Sequence, residues 1–321
     1  MGVFDKVARP TILAASRSDR LRRAAEGLPV TRNVVHRFVP GETVGDALKS
    51  VAQLRDSRRM VSIDYLGEDT TEVEDADKTV RAYLALLDSL GTRDETAGGT
   101  VRPLEVSLKL SALGQALPRD GEKIARDNAH TICERAQRLG VWVTVDAEDH
   151  TTTDATLSIV RDLRAEFPWL GTVLQAYLKR TQGDCEEFAA SGARIRLCKG
   201  AYDEPSSVAF RDRDDVNDSY MRCLRVLMAG SGYPMVASHD PEIIGAVPAL
   251  VRENSRGQDR FEYQMLFGIR DAEQRRLADE GNHVRVYVPF GTQWYGYFVR
   301  RLAERPANLT FFLRALAERR H

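Results

Sequence analysis

The sequence has few cysteines, no long apolar run and no excess of charge of either sign. Its four cysteines lie far apart and form no Cys-x-x-Cys pair, which argues against a disulfide framework and a cysteine zinc site. No apolar segment reaches the about 18 residues of a membrane-spanning helix, and no signal peptide precedes the first helical stretch. A formal net charge of -1 gives no field that attracts nucleic acid. We therefore expect a reduced, cytoplasmic protein without a nucleic-acid partner.

Short apolar runs alternate with longer stretches of helical periodicity along most of the 321 residues. A strand followed by a helix occurs eight times, which predicts a closed (β/α)8 TIM-type barrel of the α/β class. An open dinucleotide-binding sheet is disfavoured because no Gly-x-Gly-x-x-Gly follows the first strand. The predicted strands are 60–65, 104–110, 141–146, 172–177, 194–198, 235–238, 261–266 and 284–288.

The segment before the first strand is rich in arginine and predicts helices at 20–25 and 43–55. We interpret residues 1–58 as an N-terminal helical arm and residues 59–321 as the barrel domain with a terminal helix at 309–319. The Gly- and Thr-rich stretch at 91–100 follows a helix, so we expect a connector at the face opposite the site.

The stretch at 194–204 departs most from an ordinary strand. Arg196 and Lys199 occupy positions where a buried strand is usually apolar, and Gly200 follows where backbone can approach a ligand closely. Because a buried cation needs an anionic partner, two interpretations remain open. These are solvated or salt-bridged charges beside a turn, and the edge of a binding site.

Polar side chains also follow the other predicted strands, and carboxyl ends of barrel strands meet at one face. Their convergence predicts a pocket there. The carboxylates and histidine at 146–150 do not predict a metal site, because consecutive residues on a strand end point to opposite faces. The polar residues are Asp64, Glu68, Lys109, Ser111, Asp146, Glu148, Asp149, Gln175, Tyr177, Ser238, His239, Asp240, Glu262, Gln264 and Tyr287.

The helix predicted after strand eight has a polar face. Tyr297, Arg300, Arg301 and Glu304 fall at positions i, i+3, i+4 and i+7. A solvated face would look the same in isolation, but the helix starts directly after a barrel strand. Two guanidinium groups at that place are able to clamp one carboxylate.

These segments together resemble the flavin-dependent proline dehydrogenases, of the monofunctional bacterial type. The resemblance covers every barrel strand except the sixth. Departures are modest: Ser238 stands where threonine is common and Cys198 where valine is common. The matching segments are DYLGE at 64–68, VSLKLS at 106–111, VDAE at 145–148, LQAY at 174–177, RLCKGAYDE at 196–204, EYQMLFG at 262–268, YVPFG at 287–291 and YFVRRL at 297–302.

The resemblance implies a distorted barrel that holds FAD non-covalently and oxidises L-proline to Δ1-pyrroline-5-carboxylate, the first step of proline catabolism to glutamate. Electrons would pass from the flavin to a membrane quinone. The next oxidation is expected to fall to a separate pyrroline-5-carboxylate dehydrogenase.

The resemblance also implies roles for individual residues. Asp146 and Arg196 are the expected catalytic residues, and Glu68 is the expected gate. The expected substrate-binding residues are Lys109, Tyr287, Tyr297, Arg300 and Arg301. The expected cofactor-binding residues are Ala147, Gln175, Arg196, Lys199, Gly200, Ala201, Tyr202, Ser238, His239 and Leu266.

Two other functions remain compatible with a polar barrel pocket. One is a Schiff-base lyase or aldolase that uses Lys109 or Lys199 as the amine. The other is a non-enzymatic barrel that binds a small carboxylate. Bound flavin would distinguish both from a dehydrogenase.

A quinone acceptor implies contact with the membrane, although the sequence offers no spanning segment. We predict weak peripheral association with the inner face of the cell membrane through the terminal helices. Solvated arginines are the competing interpretation. The basic residues concerned are Arg20, Arg22, Arg23, Arg319 and Arg320.

Overall fold

The computed structural model describes residues 35–90 and 101–304. Eight parallel strands pair in chain order and close, β8 on β1, which confirms the predicted (β/α)8 barrel. The helices predicted at 20–25 and 309–319, the connector at 91–100 and the terminal arginines lie outside the described residues. The division into an arm and a barrel at residue 58 stays a prediction.

The strands and helices alternate as the sequence pattern predicts. The strands are β1 Met60–Tyr65, β2 Leu104–Leu108, β3 Trp142–Val145, β4 Gly171–Gln175, β5 Arg194–Cys198, β6 Tyr233–Ala237, β7 Glu262–Leu266 and β8 Val284–Phe290. The helices are α1 Val44–Asp56, α2 Val73–Leu90, α3 Gly121–Arg138, α4 Thr153–Glu166, α5 Thr181–Ala190, α6 Arg213–Ala229, α7 Pro241–Glu253, α8 Asp271–Asp279 and α9 Trp294–Glu304.

Several strands differ from their predicted bounds near polar or proline residues. β4 ends at Gln175 because a turn follows, in which the Leu178 N–H donates to the Gln175 carbonyl over 3.0 Å. β6 begins two residues before its predicted start and includes Pro234 at its second position, where the missing N–H is tolerated. These shifts leave the barrel topology unchanged.

Several strands carry apolar residues outward and polar residues inward. On β1, Val61 and Ile63 belong to the apolar core beneath the helices, whereas Ser62 and Asp64 bond to side chains within the barrel. The same alternation holds on β2, β5 and β8. The interior of this barrel is therefore charged, where most such barrels are filled by branched apolar side chains.

Helix α1 begins with a capping box, in which Thr43 and Asp46 satisfy each other's backbone N–H groups, an arrangement worth about 1 kcal/mol. Its buried face includes Ala47, Val51 and Leu54, and the helix packs against β8 and β1. Part of the predicted arm thus covers two barrel strands.

Helix α9 packs in an apolar cluster with residues 35–39 and with Leu66, which directly follows β1. Phe298 contacts Phe38 with ring centroids 6.1 Å apart. Gly291 allows the chain to turn between β8 and α9, because its φ of +122° lies in the left-handed region. The helix is thereby held beside the carboxyl ends of the strands.

The helices that the structure describes include none that is long and apolar enough to cross a membrane.

Candidate active site

Asp64, Lys109, Asp146 and Tyr287 form a hydrogen-bonded group at the carboxyl end of the barrel, called here the upper layer. Lys109 Nζ lies 2.7 Å from Asp64 Oδ2 and 3.7 Å from Asp146 Oδ2. The Tyr287 hydroxyl lies 2.7 Å from Asp64 Oδ2 and 2.8 Å from Asp146 Oδ2. Burial favours a neutral amine, but the two carboxylates outweigh it and raise the pKa of Lys109 above its ordinary value. Lys109 is therefore a cation at neutral pH.

Arg196 lies next to the upper layer on β5, and five acceptors surround its guanidinium, as many as it has N–H groups. Nη1 donates to Asp146 Oδ1 over 2.6 Å, and Nη2 donates to Glu105 Oε1 over 2.8 Å. The sequence prediction that this buried cation has an anionic partner is confirmed. The other acceptors are Ser107 Oγ at 2.8 Å, Ser62 Oγ at 3.2 Å and Gln264 Oε1 at 2.6 Å.

Arg300 of α9 binds Glu68 through both of its terminal nitrogens, and we call this contact the gate pair. One of the two contacts, from Nη1 to Glu68 Oε2, measures 3.0 Å. The side chains keep 10% and 26% of their surface exposed, respectively, so the pair is not fully closed off from solvent. Burial opposes ionisation of Glu68, but the Arg300 charge outweighs it and lowers the pKa of that carboxyl. An ion pair thus connects the loop after β1 to the helix after β8.

The other predicted substrate residues lie on the same helix. Arg301 is 9% exposed, and its guanidinium lies 5.0 Å from the centre of the Tyr297 ring. Arg300 lies 5.6 Å from the centre of the Tyr202 ring. Helix α9 therefore carries two nearly buried guanidinium groups and an aromatic ring, with Arg300 beside Glu68 and Tyr202; that they bind a substrate carboxylate stays a prediction.

The segment after β5 is shaped by Gly200. Its φ is +113°, and a Cβ there would lie 2.3 Å from the Tyr177 ring, so only glycine fits. The Tyr177 hydroxyl donates to Glu204 Oε1 over 3.1 Å, and Glu204 also binds the His150 ring. These contacts fix the stretch that contains Ala201 and Tyr202.

The ends of β3 and β4 are joined through Glu148. Its carboxylate accepts hydrogen bonds from the N–H and the hydroxyl of Ser111, and its carbonyl accepts one from Gln175 Nε2 over 2.9 Å. Burial raises the pKa of Glu148 to about 7. Ala147 lies between Glu148 and the upper-layer Asp146.

The predicted cofactor residues at the ends of β5, β6 and β7 are linked to one another, Lys199 and Ser238 through Asp240 and His239 directly to Leu266. Lys199 Nζ lies 2.7 Å from Asp240 Oδ2, and Ser238 Oγ accepts from the Asp240 N–H over 3.1 Å. His239 Nε2 accepts from the Leu266 N–H over 2.9 Å. Together with Ala147 and Gln175, these residues lie at the carboxyl ends of five adjacent strands, β3 to β7.

The polar run at 146–150 is dispersed rather than convergent. Asp149 accepts from the Thr151 N–H over 2.9 Å and caps a short helical turn, while Asp146 turns to Arg196 and His150 to Glu204. Within 35–90 and 101–304, no group of three or more His, Cys, Asp or Glu side chains is arranged to hold a metal.

Three further residues shape the site, and no individual role could be assigned to them from the sequence. Asp64 binds Lys109, Ser107 contributes its hydroxyl to Asp146 and Arg196, and Glu105 binds Arg196 from the amino end of β2. Each is polar where a barrel strand is usually apolar, and that was the available signal.

Comparison with known proteins identifies relatives over most of the chain. The family model described as proline dehydrogenase matches residues 47–314. Proline dehydrogenase 1 of Bacillus subtilis (strain 168) is 37% identical over 289 residues, covering 90% of this chain and 92% of its own. Proline dehydrogenase of Deinococcus radiodurans is 36% identical over 316 residues, covering 98% and 99%.

The fold is also similar to that of solved structures. The crystal structure of proline utilization A (PutA) from Bdellovibrio bacteriovorus inactivated by N-propargylglycine superposes with a TM-score of 0.78 at 26% identity. The match covers 85% of this chain and 33% of that longer one, so the chain spans about a third of PutA.

Proposed function

The chain belongs to the proline dehydrogenase family, and from that premise we propose that it oxidises L-proline to Δ1-pyrroline-5-carboxylate with bound FAD as the hydride acceptor. Membership makes it an oxidoreductase of proline catabolism. The cofactor, the product, the electron acceptor and the individual residue roles are the parts that we propose. A separate pyrroline-5-carboxylate dehydrogenase would consume the product.

The gate pair beside a second buried arginine is the observation that carries the proposal. Arg300 and Arg301 are both nearly buried, and charge-assisted hydrogen bonds between guanidinium and carboxylate groups are among the strong ones in proteins. A substrate carboxylate would take the place of Glu68 on Arg300 and use Arg301 as its second partner. Lys109, held as a cation by the upper layer, adds a third positive charge.

The residues on β3 to β7 fit FAD. Gln175 Oε1 is buried without a hydrogen-bond partner among the described residues, and a lone buried acceptor is costly. The oxidised flavin ring carries one N–H that would satisfy it. Arg196 supplies a buried positive charge, which favours the negatively charged reduced ring. The residues that would hold the cofactor are Ala147, Gln175, Arg196, Lys199, Gly200, Ala201, Tyr202, Ser238, His239 and Leu266.

The substrate residues belong to the remaining strands and to helix α9: Lys109 follows β2, Tyr287 lies on β8, and the others lie on α9. The gate residue Glu68 follows β1, and the catalytic Asp146 follows β3. Bound FAD would supply the hydride acceptor, so the protein has to orient proline and exclude water. Arg300 and Arg301 would fix the carboxylate, and Tyr287 and Tyr297 would border the ring. The apolar contacts of α9 would cover the pocket.

The geometry does not favour Schiff-base chemistry. An amine nucleophile has to be neutral, which enzymes achieve by lowering the pKa of the lysine. The upper layer instead raises the pKa of Lys109. Lys199 binds Asp240 and lies 2.6 Å from Asn217 Oδ1, an arrangement that holds an ammonium ion.

Spectroscopy of the FAD-loaded protein tests the proposal. Anaerobic addition of L-proline is expected to bleach the flavin absorbance. Cyclopentanecarboxylate, which has the ring and carboxylate but no nitrogen, is expected to perturb the spectrum without bleaching it. Protein that takes up no FAD, or flavin that proline leaves oxidised, would overturn the proposal.

The proposed electron acceptor is a membrane quinone, and the proposed location is the cytoplasm with weak attachment to the inner face of the membrane. Support comes from the family resemblance and from the basic termini in the sequence. Flotation with anionic vesicles containing quinone tests the attachment. Protein that stays unbound in both the oxidised and the dithionite-reduced state would show that this part is wrong.

A further inference from the structure

Two ion pairs lie inside the barrel on the amino-end side of Arg196, and we call them the lower layer. Glu105 binds Arg194, and Glu262 Oε1 lies 2.7 Å from Arg285 Nε. The side chains of Glu105, Glu262 and Arg285 are fully buried, and Arg194 is nearly so. Well-packed apolar residues often give equal or greater stability than buried ion pairs, so stability does not account for this layer.

The first pair contacts Arg196 directly. The two oxygens of the Glu105 carboxylate are divided between the two arginines: Oε2 accepts from Arg194 and Oε1 accepts from Arg196 Nη2 over 2.8 Å. The Arg196 guanidinium therefore lies between two carboxylates, Glu105 on one side and Asp146 on the other. The positive electrostatic potential that Arg196 produces in the pocket therefore depends on both carboxylates.

The second pair reaches Arg196 through Gln264. Glu262 Oε1 accepts a hydrogen bond from Gln264 Nε2, which fixes the orientation of that amide. The amide oxygen then faces Arg196 and accepts from its Nε over 2.6 Å. Glu262 thus sets which end of Gln264 meets the arginine.

We propose that Glu105 and Glu262 are positioning residues for Arg196, which hold its guanidinium against the pocket and set the reduction potential of the bound flavin. The inference rests on the proposed function, because it requires FAD next to Arg196. Neither carboxylate would contact the cofactor. Each acts through the position and the partly neutralised charge of Arg196.

The test is the midpoint potential of the FAD-loaded Glu105→Gln variant, measured by equilibration with a redox dye. Glutamine keeps an acceptor for Arg196 but removes the negative charge, so the reduced ring is expected to become more stable. We expect about a tenfold shift of the equilibrium toward reduced flavin, or about 30 mV upward for a two-electron couple. Glu262→Gln is expected to shift it in the same direction by less, because it acts through Gln264.

Asp184→Asn is the matched control. Asp184 is a nearly buried carboxylate paired with Arg180, 2.9 Å apart, on the outer helix α5, and its substitution is expected to leave the potential unchanged. The KM for proline is expected to stay at the wild-type value in Glu105→Gln while kcat changes, because the substrate carboxylate would bind on α9. A purely structural role would change stability and leave the potential unmoved.

A second variant covers the case in which Glu105→Gln does not fold. The double variant Arg194→Met with Glu105→Gln removes a cation and an anion together, so the layer stays neutral. Its potential is expected to rise by less than in the single variant. If Glu105→Gln folds, an unchanged or lowered flavin potential in that variant overturns this inference. If it does not fold, the same result in the double variant does so. In either case the proposed function is unaffected. Wild-type protein that binds no FAD overturns the proposed function as well.

Discussion

The lower layer of the barrel interior and the gate pair both join glutamate to arginine, but they differ in how these charges are satisfied. In the lower layer, Glu262 and Arg285 are both fully buried and bind each other and the surrounding backbone. Above the upper layer, the gate pair joins two elements outside the sheet and keeps part of its surface exposed. Charges enclosed by the barrel therefore have fixed partners, whereas in the proposed function Arg300 would exchange Glu68 for the substrate carboxylate.

Breaking a closed pair is expected to give the largest loss of stability. Arg285→Met leaves Glu262 as a fully buried charge without its cationic partner, so we expect a decrease of about 3 to 5 kcal/mol in the free energy of unfolding. Urea unfolding measures it. Arg161→Met is the control, because Arg161 and Glu187 form an exposed pair worth about 1 kcal/mol or less. An equal decrease in the free energy of unfolding in the two variants would contradict the distinction between buried and exposed ion pairs.

Glu148 sharpens the comparison, because it is a buried carboxyl held by the amide and hydroxyl of Ser111. Burial raises its pKa from 4.5 to about 7, so the folded state binds the proton more tightly than the unfolded state. Stability from this group is therefore present below pH 4.5 and is lost as the pH rises to about 7.

Glu148→Gln is expected to abolish the loss of stability that ionisation of Glu148 causes as the pH rises. Relative to wild type, the variant should gain up to about 3 kcal/mol in free energy of unfolding between pH 5 and pH 8, at 1.4 kcal/mol per pKa unit. The measurement is unfolding of both proteins at the two pH values. A difference between them that does not change with pH would show that Glu148 is ionised at both.

Opening the gate pair is expected to give the smallest effect. Glu68→Ala removes a partly exposed partner, so we expect a stability change of about 1 kcal/mol or less. Flavin content should stay the same, because the predicted cofactor residues follow other strands. Stopped-flow measurement of flavin reduction by proline is expected to show altered substrate entry. Flavin-reduction kinetics identical to those of the wild type would show that Glu68 does not control substrate entry.

The barrel could be predicted from the sequence because its signals are local. Apolar residues such as Val61 and Ile63 mark the outward face of a strand, and helical periodicity follows each strand. This pattern occurs eight times in the sequence. The charged stretch around Arg196 also indicated a site, since cations are rare on buried strands. The sequence spacing of Arg300 and Arg301 placed both on one helix.

The partners of those charges could not be predicted, because they depend on the register between distant strands. Glu105 is 91 positions from Arg196 in sequence, and nothing local to either residue indicates the contact. Likewise, the close approach of the Gly200 backbone to a ligand stays a prediction, and its contact with the Tyr177 ring could not be predicted because it requires the loop geometry. The position of α9 beside the barrel mouth, with residues 35–39 against it, also depends on contacts between the two ends of the described chain.

The central claim is that one set of cations serves the cofactor and another serves the substrate. Paired titrations on Arg196→Met and Arg300→Ala test it: the ratio of flavin to protein, and the affinity for a carboxylate-bearing proline analogue followed by the flavin spectrum. We predict that Arg300→Ala keeps FAD and loses affinity for the analogue. Arg196→Met should lower FAD retention or the flavin potential while loaded protein still binds the analogue. Loss of FAD with normal analogue binding in Arg300→Ala would contradict the account.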